Sequence, residues 1–227
     1  MPVKVDDVVE DGKGLDQAMG NHKDMIIEKG EGQKKWDKLR AAIDDLVKKN
    51  SAQVSAQTVM EQRTKEQDDA MRAAQEIVSQ VQNAARSEFE GDRTKLKEFK
   101  IGTARPTAVK GMITLLDYFT GLVQKYSDVM LANGMTQDDL AAVSTVYARL
   151  VTADAVQENA KRLRNAATKT RDTALVSLKR TIGATRSYAK VVFKNDKAAL
   201  EEFKSISRAR GRSRTKPSGS STGQAQV

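Results

Sequence analysis

Phe89-Glu-Gly-Asp92-Arg-Thr-Lys-Leu96-Lys-Glu98-Phe99-Lys100 returns 104 residues later as Phe193-Lys-Asn-Asp196-Lys-Ala-Ala-Leu200-Glu-Glu202-Phe203-Lys204. Each shared type has a physical role. Gly91 or Asn195 can take the left-handed conformation that ends a helix, and Asp92 or Asp196 can cap the next one. The Leu and the second Phe are spaced so that a short helix folds back on a long one. The stretch reads as a helical corner.

Working outward, residues 15–100 align on residues 119–204 without a gap, with 18 identities in the 86 pairs. Any two amphipathic helices share an apolar stripe, but these identities include Asp24/Asp128, Gly30/Gly134 and Phe89/Phe193, in turns at both ends of the long segment. Apolar character persists where identity does not, as at Trp36/Leu140, Leu39/Val143 and Val78/Ile182. The chain therefore reads as a duplication.

The chain has 227 residues and 3 prolines, at 2, 106 and 217. None interrupts Gln33–Phe89 or Gln137–Phe193, and an unbroken helix over either span reaches about 85 Å. In the first copy the apolar stripe runs Trp36, Leu39, Ile43, Leu46, Val47, Val54 and Met60, then resumes at Met71 and ends at Phe89. Residues 61–70 carry no large apolar side chain, so the helix there leaves the core, bends, or pairs through polar contacts. Trp36, Met60 and Met71 fall on the stripe and are expected in the core.

In the second copy Pro106 suits a helix N1 position, and Val109, Met112, Ile113, Leu116, Phe119, Val123, Tyr126 and Met130 recur at helical spacing until Asn133-Gly134. Thr136 is an expected N-cap with Asp138 and Asp139 in the favourable first turn, whereas Gly32 followed by Lys34 and Lys35 predicts a fraying start. The fold class expected is all-α: an elongated helical bundle from two tandem repeats of about 104 residues, each with one very long helix flanked by short ones, plus a disordered basic C-terminal tail. The expected divisions are a flexible N-terminus at 1–14, repeat 1 at 15–104, repeat 2 at 105–207 and the tail at 208–227. An approximate internal two-fold, as in a fused homodimer, would relate the copies.

The net charge of +9 hides an asymmetry. Residues 1–104 hold 18 basic and 20 acidic side chains, and residues 105–227 hold 21 and 10. Two readings of the polar middle follow. Antiparallel pairing about residues 61 and 165 would set Glu61, Glu66, Asp68 and Asp69 against Lys161, Arg162, Arg164 and Lys169; alternatively the same bases face solvent and bind phosphates. Arg186, Lys190 and Lys194 step by four along one helix face. Arg208, Arg210, Arg212, Arg214 and Lys216 form an alternating arm suited to phosphate backbones, with no interleaved aromatic residue for base stacking. Lys161, Arg162, Arg164, Arg186, Lys190, Lys194 and the five bases of the arm are the expected polyanion-binding set.

Catalytic and metal chemistry have little material. There is no Cys, and His22 is the single His, expected at the surface. No Glu-x-x-His pair or Walker-type Gly-Lys-Ser/Thr ending occurs, so neither a catalytic residue, a metal ligand nor a cofactor site is assigned. Met1–Asp11 is too acidic for a signal peptide, and Met112–Val123, broken by Asp117 and Gly121, is too short to span a bilayer. The expectation is a soluble cytoplasmic or otherwise intracellular, non-enzymatic scaffolding protein. It would associate through coiled-coil-like helices as a homo-oligomer or with a protein partner, and hold nucleic acid or another polyanion with its basic half. The alternatives are a membrane-active pore former or surface coat using the 109–130 helix, and a purely protein-protein assembly subunit.

Overall fold

The computed structural model describes residues 4–212, with side chains up to 206. Its helices are α1 (Val5–Asn21), α2 (Lys23–Glu28), α3 (Gly32–Glu88), α4 (Arg93–Glu98), α5 (Val109–Lys125), α6 (Ser127–Ala132), α7 (Gln137–Val192) and α8 (Lys197–Arg212). No strand occurs among the described residues. The openings of α1 and α5, of α2 and α6, and of α4 and α8 each lie 104 residues apart. Two helices, α3 with 57 residues and α7 with 56, dominate the chain.

The turns explain where these helices stop and start. Gly30 and Gly134 sit at φ 74° and 90° before the two long helices, a conformation that costs an L side chain energy and glycine none. Gly91 likewise sits at φ 87°, but Asn195 keeps a negative φ, contrary to the sequence reading. That corner closes without it, since the Asp196 N–H donates to the Phe193 carbonyl at 3.1 Å just as Asp92 donates to Phe89 at 3.0 Å. Asp92 Oδ1 then caps α4 through the Thr94 and Lys95 amides, and Asp196 Oδ1 caps α8 through Ala199, all at 3.0 Å.

At the head of α7, Thr136 and Asp139 form a reciprocal cap. The Thr136 amide donates to Asp139 Oδ2 at 2.8 Å, and the Asp139 amide donates to Thr136 Oγ1 at 3.1 Å. The Thr136 amide, and then the Thr136 hydroxyl donating to the same oxygen at 2.8 Å, hold the Asp139 carboxyl below its usual range. Gly32 opens α3 for a different reason from the one its missing cap suggested. A Cβ there would lie 1.8 Å from the Ile26 carbonyl oxygen, so the close approach of α2 requires glycine.

The chain groups into two compact units, unit 1 of Met1–Gln53 with Ala167–Val227, and unit 2 of Val54–Ala166. These bounds cut through the divisions read from sequence, because α3 and α7 each contribute to both units. Unit 1 buries Leu15, Met19, Ile26, Trp36, Leu39, Leu46, Leu178, Ile182, Phe193 and Phe203 in one core. Unit 2 buries Val78, Val81, Phe99, Met112, Leu116, Phe119, Met130, Val143 and Leu150 in another. The apolar face of α5, at spacings of four and three, is thus core; among the described residues no helix is long and apolar enough to cross a membrane.

Two further sequence expectations change. Residues 5–14 are the first turns of α1, not a flexible end, and their glycines make room for packing: a Cβ on Gly12 would lie 2.9 Å from Ile43, and one on Gly14 2.9 Å from Ile206. At the other end α8 continues through Arg212, past the start of the tail proposed at 208.

The polar stretch of α3 neither ends the helix nor meets a mirror-image belt of bases. Within unit 2, Arg164 Nε donates to Gln57 Oε1 at 2.8 Å, Gln157 Nε2 to Thr64 Oγ1 at 3.4 Å, and Gln67 Nε2 to Asp154 Oδ1 at 2.8 Å. The residue numbers fall on one strict antiparallel register, since 57 rises to 67 as 164 falls to 154. It is shifted by five from pairing about 61 and 165. The charges expected to cross the helices are satisfied along them instead, Glu66 by Arg63, Asp69 by Arg72 and Lys161 by Glu158.

Candidate polyanion-binding surface

Charge divides between the units as well as between the halves of the sequence. Unit 1 holds 24 Lys and Arg against 15 Asp and Glu, while unit 2 holds 15 of each. The whole excess of +9 therefore belongs to unit 1.

The structure separates the expected site residues by environment. Lys161 and Arg162 are exposed on α7 in unit 2, the former paired with Glu158 at 2.9 Å, and Arg164 is committed to the contact with α3. In unit 1, Lys190 and Lys194 are exposed, but Arg186 turns inward, with Nη2 4.0 Å from Asp11 Oδ2 on α1. The three-residue row read along one face is thus a pair plus an inward arginine. Arg208, Arg210 and Arg212 lie in the last turns of α8, with side chains outside the described set, and Arg214 and Lys216 lie outside the described residues.

Sequence reasoning passed over a different convergence in unit 1. Lys35 and Lys38 on α3 share a cleft with Ser177, Arg180, Thr181 and Thr185 on α7. The α7 residues recur at intervals of three, four and eight from Ser177, which puts them on one helical face, and Lys35 and Lys38 are three apart on theirs. No Asp or Glu lines the cleft, and none of its three cations has an ion-pair partner among the described residues. Tyr188 stands beside the cleft, outside its lining. Its hydroxyl donates to the carbonyls of Ile26 and Lys29 at 3.2 and 2.9 Å, burial pushes its pKa up, and Lys35 Nζ sits 5.5 Å from its ring centre. The signal in the sequence was faint because the two lysines and the α7 face are about 140 positions apart, one in each of the two aligned stretches 15–100 and 119–204.

His22 is no surface residue either. Its side chain keeps 21% exposure, its Nε2 lies 2.9 Å from Glu202 Oε2, and its ring packs 5.0 Å from that of Phe193, which stacks on Phe203 at 5.4 Å. Tyr126, 104 residues on, occupies the equivalent place in unit 2. Its ring lies 5.8 and 5.4 Å from Phe89 and Phe99, and its hydroxyl donates to Glu98 Oε2 at 3.0 Å. Both residues sit at a break between short helices that the periodicity did not reveal, α1/α2 and α5/α6. Around Tyr126 the corner carries extra cations: Lys95 donates to its hydroxyl and Lys125 Nζ donates to Glu98 Oε1 at 2.8 Å.

No family model, curated protein or solved structure matches this chain.

Proposed function

We propose that the chain is a non-enzymatic structural protein, built from two tandem copies of one helical segment, that holds a polyanion through unit 1, with nucleic acid as the favoured ligand. The observation that carries this reading is the confinement of the whole +9 excess to unit 1 beside a unit 2 of zero net charge. Helix openings 104 residues apart support the duplication. A duplicated scaffold that keeps its cores while one unit gains all the charge has changed its surface, and a surface of one sign attracts the opposite one at range. Contacts with phosphates release counterions, so binding of this kind weakens steeply with salt.

The test is the affinity of the full chain for single-stranded and duplex DNA between about 50 and 200 mM salt. A steep fall in affinity with little dependence on base sequence is the expected result. No binding at about 50 mM, or a flat response, overturns the reading.

A second reading, self-association through the long helices, is favoured by exposed aliphatic side chains. Val156 and Leu163 lie seven apart on α7 at 38% and 57% exposure, a spacing that places them on one face. Sedimentation of the full chain should then show an oligomer that Leu163→Glu dissociates; a monomer at all concentrations removes this reading.

A further inference from the structure

We propose that the cleft between the first turns of α3 and the last third of α7 is a built site for the phosphodiester backbone of a nucleic acid, with Lys35, Lys38 and Arg180 supplying charge and Ser177 and Thr185 supplying hydroxyl donors. This rests on the polyanion reading of unit 1 and locates it on residues that reading did not include. The cleft encloses about 260 Å³. That is below the usual size of a pocket for a whole small molecule and suits a charged group entering from solvent.

Unit 2 supplies the internal control. Positions 104 residues away hold Asp139 for Lys35, Ala142 for Lys38, Ala73 for Ser177, Glu76 for Arg180, Ile77 for Thr181 and Val81 for Thr185. Both Asp139 and Gln80, the counterpart of Ala184, line a cleft there too. The same helical segments therefore pack with acids and aliphatic groups in these places, and packing alone does not ask for three cations and three hydroxyls.

Burial sharpens the contrast. Thr181 and Thr185 are 7% and 2% exposed, as Ile77 and Val81 are 5% and 0%. A threonine has the shape of valine but must place a hydroxyl, and a buried hydroxyl is unfavourable unless it is bonded. Thr181 Oγ1 donates to the Ser177 carbonyl at 3.0 Å. The Thr185 hydroxyl has no hydrogen bond among the described residues and is not one of the fully buried unpartnered atoms, so the oxygen of this otherwise buried side chain opens to solvent. A phosphate oxygen in the cleft would give it an acceptor beside three uncompensated cations, and charged acceptors make the stronger hydrogen bonds. The Tyr188 hydroxyl is already engaged with Ile26 and Lys29, and no ring in the cleft lies free for a base, which favours backbone over base recognition.

The test uses the full chain and two variants, K35Q/K38Q/R180Q and T181I/T185V, the second carrying the residues of unit 2. Binding to short mixed-sequence single-stranded and duplex DNA is measured across salt, with tripolyphosphate as competitor. The triple variant should lower the salt slope on duplex by about two to three, near 0.9 for each lost phosphate contact. The threonine variant should weaken binding about tenfold or more while leaving the slope unchanged, because it removes hydrogen bonds and no charge. Circular dichroism melts reporting an intact fold accompany both. If both variants bind as the parent does while deletion of residues 208–227 abolishes binding, the cleft is overturned and the polyanion reading stands on the tail. If the parent binds no DNA, the polyanion reading itself fails. Saturable tripolyphosphate binding that DNA does not displace overturns the backbone assignment.

Discussion

The corner of unit 1 and the corner of unit 2 stack the same two phenylalanines at nearly the same geometry, 5.4 Å and 25° for Phe193/Phe203, 5.7 Å and 27° for Phe89/Phe99. Each also presents a glutamate to a third ring. Only that ring and its surroundings differ, His22 with Asn21 in unit 1 and Tyr126 with Lys95 and Lys125 in unit 2. The α3/α7 clefts follow the same rule, with cations and hydroxyls in unit 1 where unit 2 has acids and aliphatic groups. Packing positions are held in common, and polar positions vary. Apolar volume in a close-packed interior admits few substitutes, whereas a polar tip at the edge of a core needs only some partner.

The largest test of this comparison truncates the shared rings. Phe203→Ala and Phe99→Ala should each destabilise their own unit by about 3–5 kcal/mol, read by urea unfolding with tryptophan fluorescence for unit 1 and circular dichroism for both. Trp36, the single tryptophan, lies in the core of unit 1. A loss below about 1 kcal/mol at one corner with a full loss at the other would break the equivalence.

Next come the two helix starts, which differ in mechanism. Gly32→Ala should cost about 1–3 kcal/mol, since the Ile26 carbonyl is main chain and α2 must move to admit a methyl group. Thr136→Ala should cost about 1 kcal/mol by removing half of the reciprocal cap. Equal small losses would mean that close approach does not govern the start of α3.

At the crossing of α3 and α7, a double-mutant cycle on Gln57 and Arg164 should return a coupling of about 0.5–1.5 kcal/mol. The same cycle on Arg63 and Glu66, an exposed pair along one helix, should return about 0.3–0.5 kcal/mol. A coupling near zero for Gln57 and Arg164 would remove the register that these side chains define.

Much of this was legible in advance, and what was not has physical causes. The long helices could be read because proline is absent over both spans and the left-handed glycines at 30 and 134 recur in register. Helix α1 could not. Between residues 5–14 and 109–118 the single identity is Val5/Val109, and Gly12 and Gly14 read as breakers although Ile43 and Ile206 occupy the space they leave. The breaks at His22 and Tyr126 carry no left-handed glycine and no proline, and the ring at each reaches a phenylalanine pair more than 25 residues away. The cleft escaped notice for a related reason. Lys35 looked like charge at the wrong end of a helix while only its own helix was considered. Beside Arg180 and three hydroxyls of a distant segment, the same charge belongs to a surface.

The smallest effect concerns pH, and it separates the corners by their carboxylates. Glu98 is held below its ordinary value of 4.5, first by the hydrogen bond from Lys125 and then by that from Tyr126. A carboxylate depressed on folding contributes stability that is present above its unfolded pKa and is lost as pH falls through the folded one. Unit 2 should therefore weaken between about pH 5 and pH 3 by an increment that Glu98→Gln abolishes. Glu98 keeps 26% of its side-chain exposure and Lys125 60%, so water screens the pair and the increment stays below about 1 kcal/mol. Lys125→Met should remove most of the same increment, because the hydrogen bond from Lys125 is the first cause of the depressed Glu98 carboxyl. If acid unfolding of unit 2 is identical in the parent and in Glu98→Gln, the lysine contact does not bias the carboxylate. The two corners would then differ in shape alone.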